Sequence, residues 1–134
     1  MPTSVAIGPD GAHYVGTLTG FPFPAGAATV FRVKPGSAPE PYATGFTNVM
    51  DVAFDADGNL LVLEIAHNGL ASGDPTGALL RVPAGGGSPE LLLTDPLFMP
   101  GGLAVGPGGE VYVTNCSVCV RGGSLLRIRP LTQR

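Results

Sequence analysis

Apolar residues recur in one pattern at three places along the chain, residues 5–18, 52–65 and 103–116. Each stretch has a short apolar run, a turn-forming group, and a second apolar run that ends at a polar residue. The turns are Pro9-Asp10-Gly11, Ala56-Asp57-Gly58 and Pro107-Gly108-Gly109. Proline and aspartate favour tight turns, and glycine readily takes the positive φ that ends them. The pattern therefore predicts three β-hairpins.

Each hairpin is expected to join an inner strand to a second strand. The inner strands are continuously apolar, which predicts burial on both faces. The predicted inner strands are Val5–Ile7, Val52–Phe54 and Leu103–Val105, and the second strands are His13–Thr17, Leu60–Glu64 and Val111–Asn115.

A third strand is predicted after each hairpin, at residues 30–33, 79–82 and 125–128, with Arg32, Arg81 and Arg127 in register. These arginines are expected to cover apolar neighbours and to pair with acids such as Glu40 or Glu90. A fourth strand is indicated at residues 40–44 and 90–94, whereas only residues 131–134 remain in the last repeat.

The spacing of the repeats predicts the fold class. The offset is 47 residues from Val5 to Val52 and 51 residues from Val52 to Leu103, which is typical of four-stranded propeller blades. We therefore predict an all-β fold, a β-propeller with about three four-stranded blades, of which the last lacks its outer strand. The chain 1–134 is one partial propeller domain, with blades near residues 3–48, 49–99 and 100–134.

Composition and charge narrow the function classes. The 21 glycines and 14 prolines are explained as turn residues, because 44% of the chain is hydrophobic. A net charge of −3, with 7 basic and 10 acidic residues, shows no nucleic-acid footprint and no basic membrane patch. No apolar run approaches the roughly 18 residues of a spanning helix. We also expect no export signal within this sequence, because its amino terminus has no charged leader before an apolar segment.

The predicted arc leaves two apolar blade faces and a sheet edge open to water. Propellers close into rings of roughly four to eight blades, which protects such edges. We therefore expect a partner that completes the ring: another half-propeller, either a second copy of the chain or the remainder of a longer chain.

The blade pattern resembles six-bladed propellers of the NHL-repeat and gluconolactonase-like class. The segments 1–11 (MPTSVAIGPDG), 19–27 (TGFPFPAGA), 63–70 (LEIAHNGL) and 113–116 (VTNC) resemble the carboxy-terminal half of the ScyD/ScyE family, which is named for the scytonemin pigment gene cluster. The resemblance implies half of a six-bladed ring, in a family without an established activity. It also implies export to an extracellular or periplasmic location.

Candidate site residues lie where the second strands end and where the inner strands begin, because these loops border the channel of a propeller. Thr17, Glu64 and Asn115 align at the strand ends, and Asp51 precedes an inner strand. His67 and Asn68 follow Glu64 in a longer loop. These six residues are the candidates for binding a small-molecule or protein ligand.

Glu64, Asn115 and Asp51 carry the hard oxygen ligands that calcium prefers. Gluconolactonase-like propellers use Glu, Asn and Asp at comparable places around a central metal, so the resemblance implies a divalent cation site with His67 as acid or base. The alternative is that Glu64 and Asn115 bond backbone groups in their own loops.

Cys116 and Cys119 form a lone C-x-x-C motif. No second pair completes a structural zinc site, and the βαβ context of a thioredoxin-like site is absent. We expect either a small-loop disulfide or two free thiols, depending on the compartment.

Three functions stay open from the sequence. The leading hypothesis is a non-catalytic scaffold that binds a ligand or protein partner at the channel face. The alternatives are a metal-dependent gluconolactonase-like hydrolase and a structural half-propeller that self-assembles. Neither a Ser-His-Asp set nor a phosphate loop is recognised.

Overall fold

The computed structural model describes residues 1–128 and contains eleven β-strands. In chain order they are β1 Pro2–Ile7, β2 His13–Thr17, β3 Ala28–Val33, β4 Glu40–Phe46, β5 Val49–Phe54, β6 Leu60–Glu64, β7 Ala78–Val82, β8 Glu90–Leu93, β9 Gly102–Val105, β10 Val111–Asn115 and β11 Ser124–Ile128. The described residues include no helix that is long and apolar enough to cross a membrane.

The strands form three antiparallel sheets, each connected strand to strand in chain order. We call them blade 1 (β1–β4), blade 2 (β5–β8) and blade 3 (β9–β11). The all-β partial propeller is confirmed. The blades begin at Pro2, Val49 and Gly102, close to the predicted starts at 3, 49 and 100. A fourth strand of blade 3 would fall at residues 131–134, outside the described residues.

The predicted second strands match β2, β6 and β10 residue for residue. The turns before them are also as predicted, because Gly11, Gly58 and Gly109 have φ values of 84°, 84° and 88°. Each of these glycines donates its N–H to the residue three positions earlier, at 2.9–3.1 Å. The turn chemistry therefore fixes the hairpin register in every blade.

Two apolar cores lie between the blades. The first joins blade 1 to blade 2 through residues such as Tyr14, Val30 and Val62, and the second joins blade 2 to blade 3 through residues such as Leu63 and Val113. All of β6 and β7 is buried, because blade 2 is covered on both faces.

The expectation that all inner strands are buried on both faces was wrong for β1. Val5 and Ile7 are 59% and 69% exposed, because no neighbouring blade covers that face of blade 1 in the structure. The inner strand of blade 3 is also open on one face, since Ala104 is exposed, and Leu125 on β11 is 65% exposed on the same side. The apolar character of β1 thus indicates a covered position in a ring that these three blades do not close.

Candidate functional site

The three aligned strand-end residues all bond backbone groups, Thr17 on the third strand of its blade and the other two before an inner strand. The Thr17 hydroxyl donates to Thr29 O at 2.7 Å, and Thr29 N–H donates back to it at 3.1 Å. Glu64 Oε2 accepts from Thr47 N–H at 2.7 Å, and Asn115 Oδ1 accepts from Phe98 N–H at 2.8 Å. Thr47 and Phe98 occupy equivalent places before the inner strands, so Glu64 and Asn115 each bond the backbone of the segment that precedes an inner strand.

Glu64 differs from its counterparts because it is a carboxylate that is only 1% exposed. Its second oxygen, Oε1, lies 2.5 Å from Nδ1 of His67. Burial raises the pKa of the Glu64 carboxyl, although the hydrogen bonds from His67 and from Thr47 N–H act in the opposite direction. The structure thus brings two of the candidate residues, Glu64 and His67, into direct contact.

His67 is the accessible member of this pair. Its side chain is 38% exposed, and its backbone N–H donates to Thr76 O at 2.8 Å across the β6–β7 loop. With Nδ1 held by a carboxylate, the ring orientation is fixed and Nε2 has no hydrogen-bond partner within the described part of the chain. An imidazole placed this way can donate or accept one hydrogen bond, or a proton, at Nε2.

Asp51 ties the inner strands of all three blades together. Its Oδ1 accepts from the Ser4 hydroxyl at 2.5 Å and from Val52 N–H at 2.9 Å. Its Oδ2 accepts from Leu103 N–H at 2.8 Å. The carboxylate thus bridges β1, β5 and β9, which is a structural role that the sequence analysis did not assign to it.

The prediction of a cation site at Asp51, Glu64 and Asn115 stays a prediction. Among residues 1–128, no group of three His, Cys, Asp or Glu side chains is placed to hold a metal ion. Every oxygen of Asp51 and Glu64 already lies against a protein donor or the His67 ring, as does Asn115 Oδ1 against Phe98 N–H. In this arrangement the three side chains serve the fold.

Asn68 closes the loop that carries His67. Its Nδ2 donates to Asp74 Oδ2 at 2.8 Å, and Asp74 Oδ1 accepts from Thr76 N–H at 3.0 Å. The hydrogen bonds from Thr76 and from Asn68 lower the pKa of Asp74 below its ordinary value. The position of His67 is thus fixed both by Glu64 and by an ordered loop.

A small cavity of about 170 Å³ is formed mainly by this loop. It is lined by Ala66, Leu70, Gly73, Asp74, Pro75 and Met99. The cavity is smaller than the roughly 300–1,000 Å³ of typical small-molecule pockets. It is large enough for a single side chain or a small fragment.

Asn48 is a site-forming residue that sequence reasoning missed. It is fully buried, with a left-handed φ of 46°, and its Nδ2 donates to Leu18 O at 2.7 Å. Its Oδ1 accepts from Leu70 N–H at 2.8 Å, so it joins the loops of blades 1 and 2. The available signal was an asparagine, a residue that tolerates positive φ, directly before an inner strand.

The structure joins Cys116 to Cys119 by a disulfide, with the Cα atoms 5.3 Å apart. The Cys119 N–H also donates to Cys116 O at 3.0 Å, so the C-x-x-C segment forms a closed turn just beyond Asn115. This places a cross-linked loop of blade 3 at the same edge as the loops of blades 1 and 2.

The opposite, turn-bearing edge has a cavity of about 420 Å³ between blades 1 and 2. Arg32 lies there and pairs with Asp10 at 2.7 Å and Glu40 at 2.8 Å. In blade 2, Arg81 pairs with Glu90 at 2.9 Å. The predicted pairing of these arginines with Glu40 and Glu90 is confirmed.

Comparison with known proteins identifies a fold relative. No family model matches the chain, and no curated protein matches it. The X-ray structure of a candidate gluconolactonase is similar, with a TM-score of 0.62 and 20% sequence identity. The match covers 96% of this chain and 44% of that one, so this chain spans less than half of its length. The likeness shows the fold: the chain is an arc of a β-propeller.

Proposed function

We propose that this chain is a non-catalytic propeller scaffold that binds a small ligand or a protein side chain at the loop edge, centred on His67. The observation that carries the proposal is the contact between the buried Glu64 carboxylate and the half-exposed imidazole. This contact fixes the imidazole at the rim of a loop whose other polar side chains are hydrogen-bonded within the loop. Fixed polar groups of this kind bind with little loss of conformational entropy.

The size of the neighbouring cavity favours binding over chemistry on a large substrate. At about 170 Å³ it accommodates one side chain or a fragment, and it is lined by Ala66 and Asp74 of the loop that carries His67. Thr17 and Asn115, the two other candidates at strand ends, are already hydrogen-bonded to backbone. They contribute shape rather than a free functional group.

The two histidines of the chain, His13 and His67, permit a direct test by NMR. Acetate, glucono-lactone and calcium chloride would each be titrated while the ring resonances are followed. We expect acetate or the lactone to shift the His67 signals, and the shift to persist in His13→Gln but not in Glu64→Gln. Saturating probe with no movement of His67 would refute a binding site at this residue.

The alternative function is a metal-dependent hydrolase that resembles gluconolactonases. In this alternative Glu64, Asn115 and Asp51 would have to release their present donors to hold a calcium ion, and His67 would serve as general base. The similarity to the candidate gluconolactonase supports only the scaffold of such an enzyme. Calcium or manganese titration decides: millimolar metal without heat or a change in melting temperature ends this alternative.

The finer family assignment is also a proposal. The segments 19–27 and 63–70, which carry the resemblance to the ScyD/ScyE family, form the loops of blades 1 and 2 beside Asn48 and His67. An extracellular or periplasmic location follows from that resemblance. The Cys116–Cys119 disulfide fits an oxidising compartment.

We further propose that another propeller segment covers the exposed faces of blades 1 and 3. Val5, Ile7 and Leu125 are each more than half exposed although they belong to strands of otherwise covered type. The segment is either a second copy, as in a self-assembling half-propeller, or further sequence of a longer chain.

A further inference from the structure

Two sheet surfaces, one at each end of the arc, have no neighbouring blade in the structure. The blade 1 open face consists of Val5, Ile7, Val15, Phe31 and Val33, which point away from blade 2. The blade 3 open face consists of Ala104, Tyr112, Thr114, Leu125 and Arg127, which point away from blade 2 on the other side. They lie at opposite ends of the arc.

The repeat shows what kind of surface covers the blade 1 open face. Val5 aligns with Val52 and Leu103, and both of these pack against the preceding blade. Val15 aligns with Val62 and Val113, which are fully buried in the same two interfaces. We call the side of a blade that packs on the next blade in the chain its following face. The blade 1 open face therefore has the residues that would pack against the following face of another blade.

The blade 3 open face is the following face of blade 3, because its residues align with those that blade 1 packs on blade 2. Tyr112 aligns with Tyr14, which in blade 1 packs edge to face on Phe54 of blade 2, with ring centroids 4.8 Å apart. Leu125 aligns with Val30, which is fully buried in that interface. The chain thus carries both halves of one blade-to-blade interface on its two exposed ends.

We propose that two copies of this chain join head to tail, with the blade 1 open face of each copy on the blade 3 open face of the other. This pairing rests on the proposal that another propeller segment covers both faces. The chain matches 44% of a propeller chain, so two such arcs fit within one closed ring. A head-to-tail contact that closes after two copies gives a two-fold ring with no exposed blade face.

The repeat also gives the central contact of this interface. Ile7 occupies the place of Phe54, and Tyr112 occupies the place of Tyr14. We therefore expect the Tyr112 ring of one copy to pack on Ile7 of the other. The two-fold axis coincides with the central axis of the ring, so both His67 loops lie at the same edge of the assembly.

The test is molar mass in solution, measured by light scattering or sedimentation across a range of concentrations. The expected mass is about 27 kDa, twice the 13.5 kDa of one chain. Ile7→Glu and Leu125→Lys change residues exposed in the single chain, so each should give a folded monomer. Val120→Lys changes a residue that is 90% exposed in a loop outside both faces, and it should remain a dimer.

Mixing the two monomeric variants distinguishes head-to-tail pairing from other geometries. A dimer of Ile7→Glu with Leu125→Lys retains one unaltered interface, so the mixture should recover much of the dimer that each variant lost. If only one substitution dissociates the dimer, the pairing is like-to-like and the head-to-tail geometry is wrong. A folded monomer of the unaltered chain would overturn the second copy as the occupant, while larger open-ended oligomers would overturn ring closure.

Discussion

Replacing Asp51 with alanine should destabilise the whole arc, because this carboxylate connects the inner strands of three blades. The change leaves the N–H groups of Val52 and Leu103 without their main acceptor and removes the partner of the Ser4 hydroxyl. All three bonds lie in partly buried surroundings between blades. The loss therefore acts on the packing of blades rather than on one strand.

The expected magnitude follows from these bonds. A buried donor left without a partner costs roughly 1–3 kcal/mol, and the lower half of that range applies to partly buried groups. The two backbone donors then give about 2–4 kcal/mol, since the partly buried Ser4 hydroxyl can rotate toward water. For a chain of this size, that corresponds to a fall in melting temperature of roughly 6–15 °C.

Thermal and urea unfolding of Asp51→Ala, in EDTA and again in millimolar calcium, would measure this loss. Asp57→Ala is the matched control, because Asp57 is exposed in a hairpin turn and its carboxylate accepts no hydrogen bond among residues 1–128. It should change stability by less than about 0.5 kcal/mol. A loss seen only with calcium would contradict the structural role and favour a metal ligand, and no loss in either condition would refute the bridging argument.

The remaining predictions concern two carboxylates and one core leucine. The hydrogen bond from Arg32 lowers the pKa of Asp10 to about 2, so the stabilisation by Asp10 is lost as pH falls toward that value. Asp10→Asn should make the free energy of unfolding, measured by urea titration, less dependent on pH in this acid range. The pKa of Glu64 is raised, so its contribution is greatest in acid and is lost as pH rises, and Glu64→Gln should remove that trend. Leu63→Ala, at a fully buried position, should cost about 2–5 kcal/mol in denaturant unfolding.

Each of these expectations has its own contradicting result. If the free energy of unfolding of Asp10→Asn falls in acid as it does for the unaltered protein, the pairing of Asp10 with Arg32 does not persist in solution. A Glu64→Gln variant that follows the same pH dependence as the unaltered protein would assign the trend to other groups. A loss below about 1 kcal/mol for Leu63→Ala would mean that blades 2 and 3 are not packed as described.

The fold could be predicted because its determinants are local and repeated. The turn glycines at 11, 58 and 109 and the apolar runs around them set the hairpins without reference to distant residues. The burial of each strand could not be predicted in the same way. Whether Val5 is covered like Val52 depends on a neighbouring blade, and the apolar pattern is identical in both cases.

The site was harder because polar residues at repeated positions serve two purposes with the same chemistry. Asp51 was proposed as a metal ligand for its carboxylate, and the structure uses that carboxylate to accept N–H groups from two strands. Two of the partners of Asp51, Ser4 and Leu103, lie 47 and 52 residues away in sequence, so no local pattern signals them. Asn48 was missed for the same reason, since its two partners belong to loops of different blades.

A repeated chain therefore separates structural from functional residues by where the repeat is broken. Thr17, Glu64 and Asn115 align, and all three bond backbone, so their shared position is explained by the fold. Three residues further on, blade 2 has His67 where the other blades have Gly20 and Val118. Blades 1 and 3 form the same strands without an imidazole at this position. In blade 2 the buried Glu64 carboxylate holds the His67 ring in a fixed orientation, whereas Gly20 and Val118 have no ring to orient. That departure from the repeat is the physical reason to seek the function at His67.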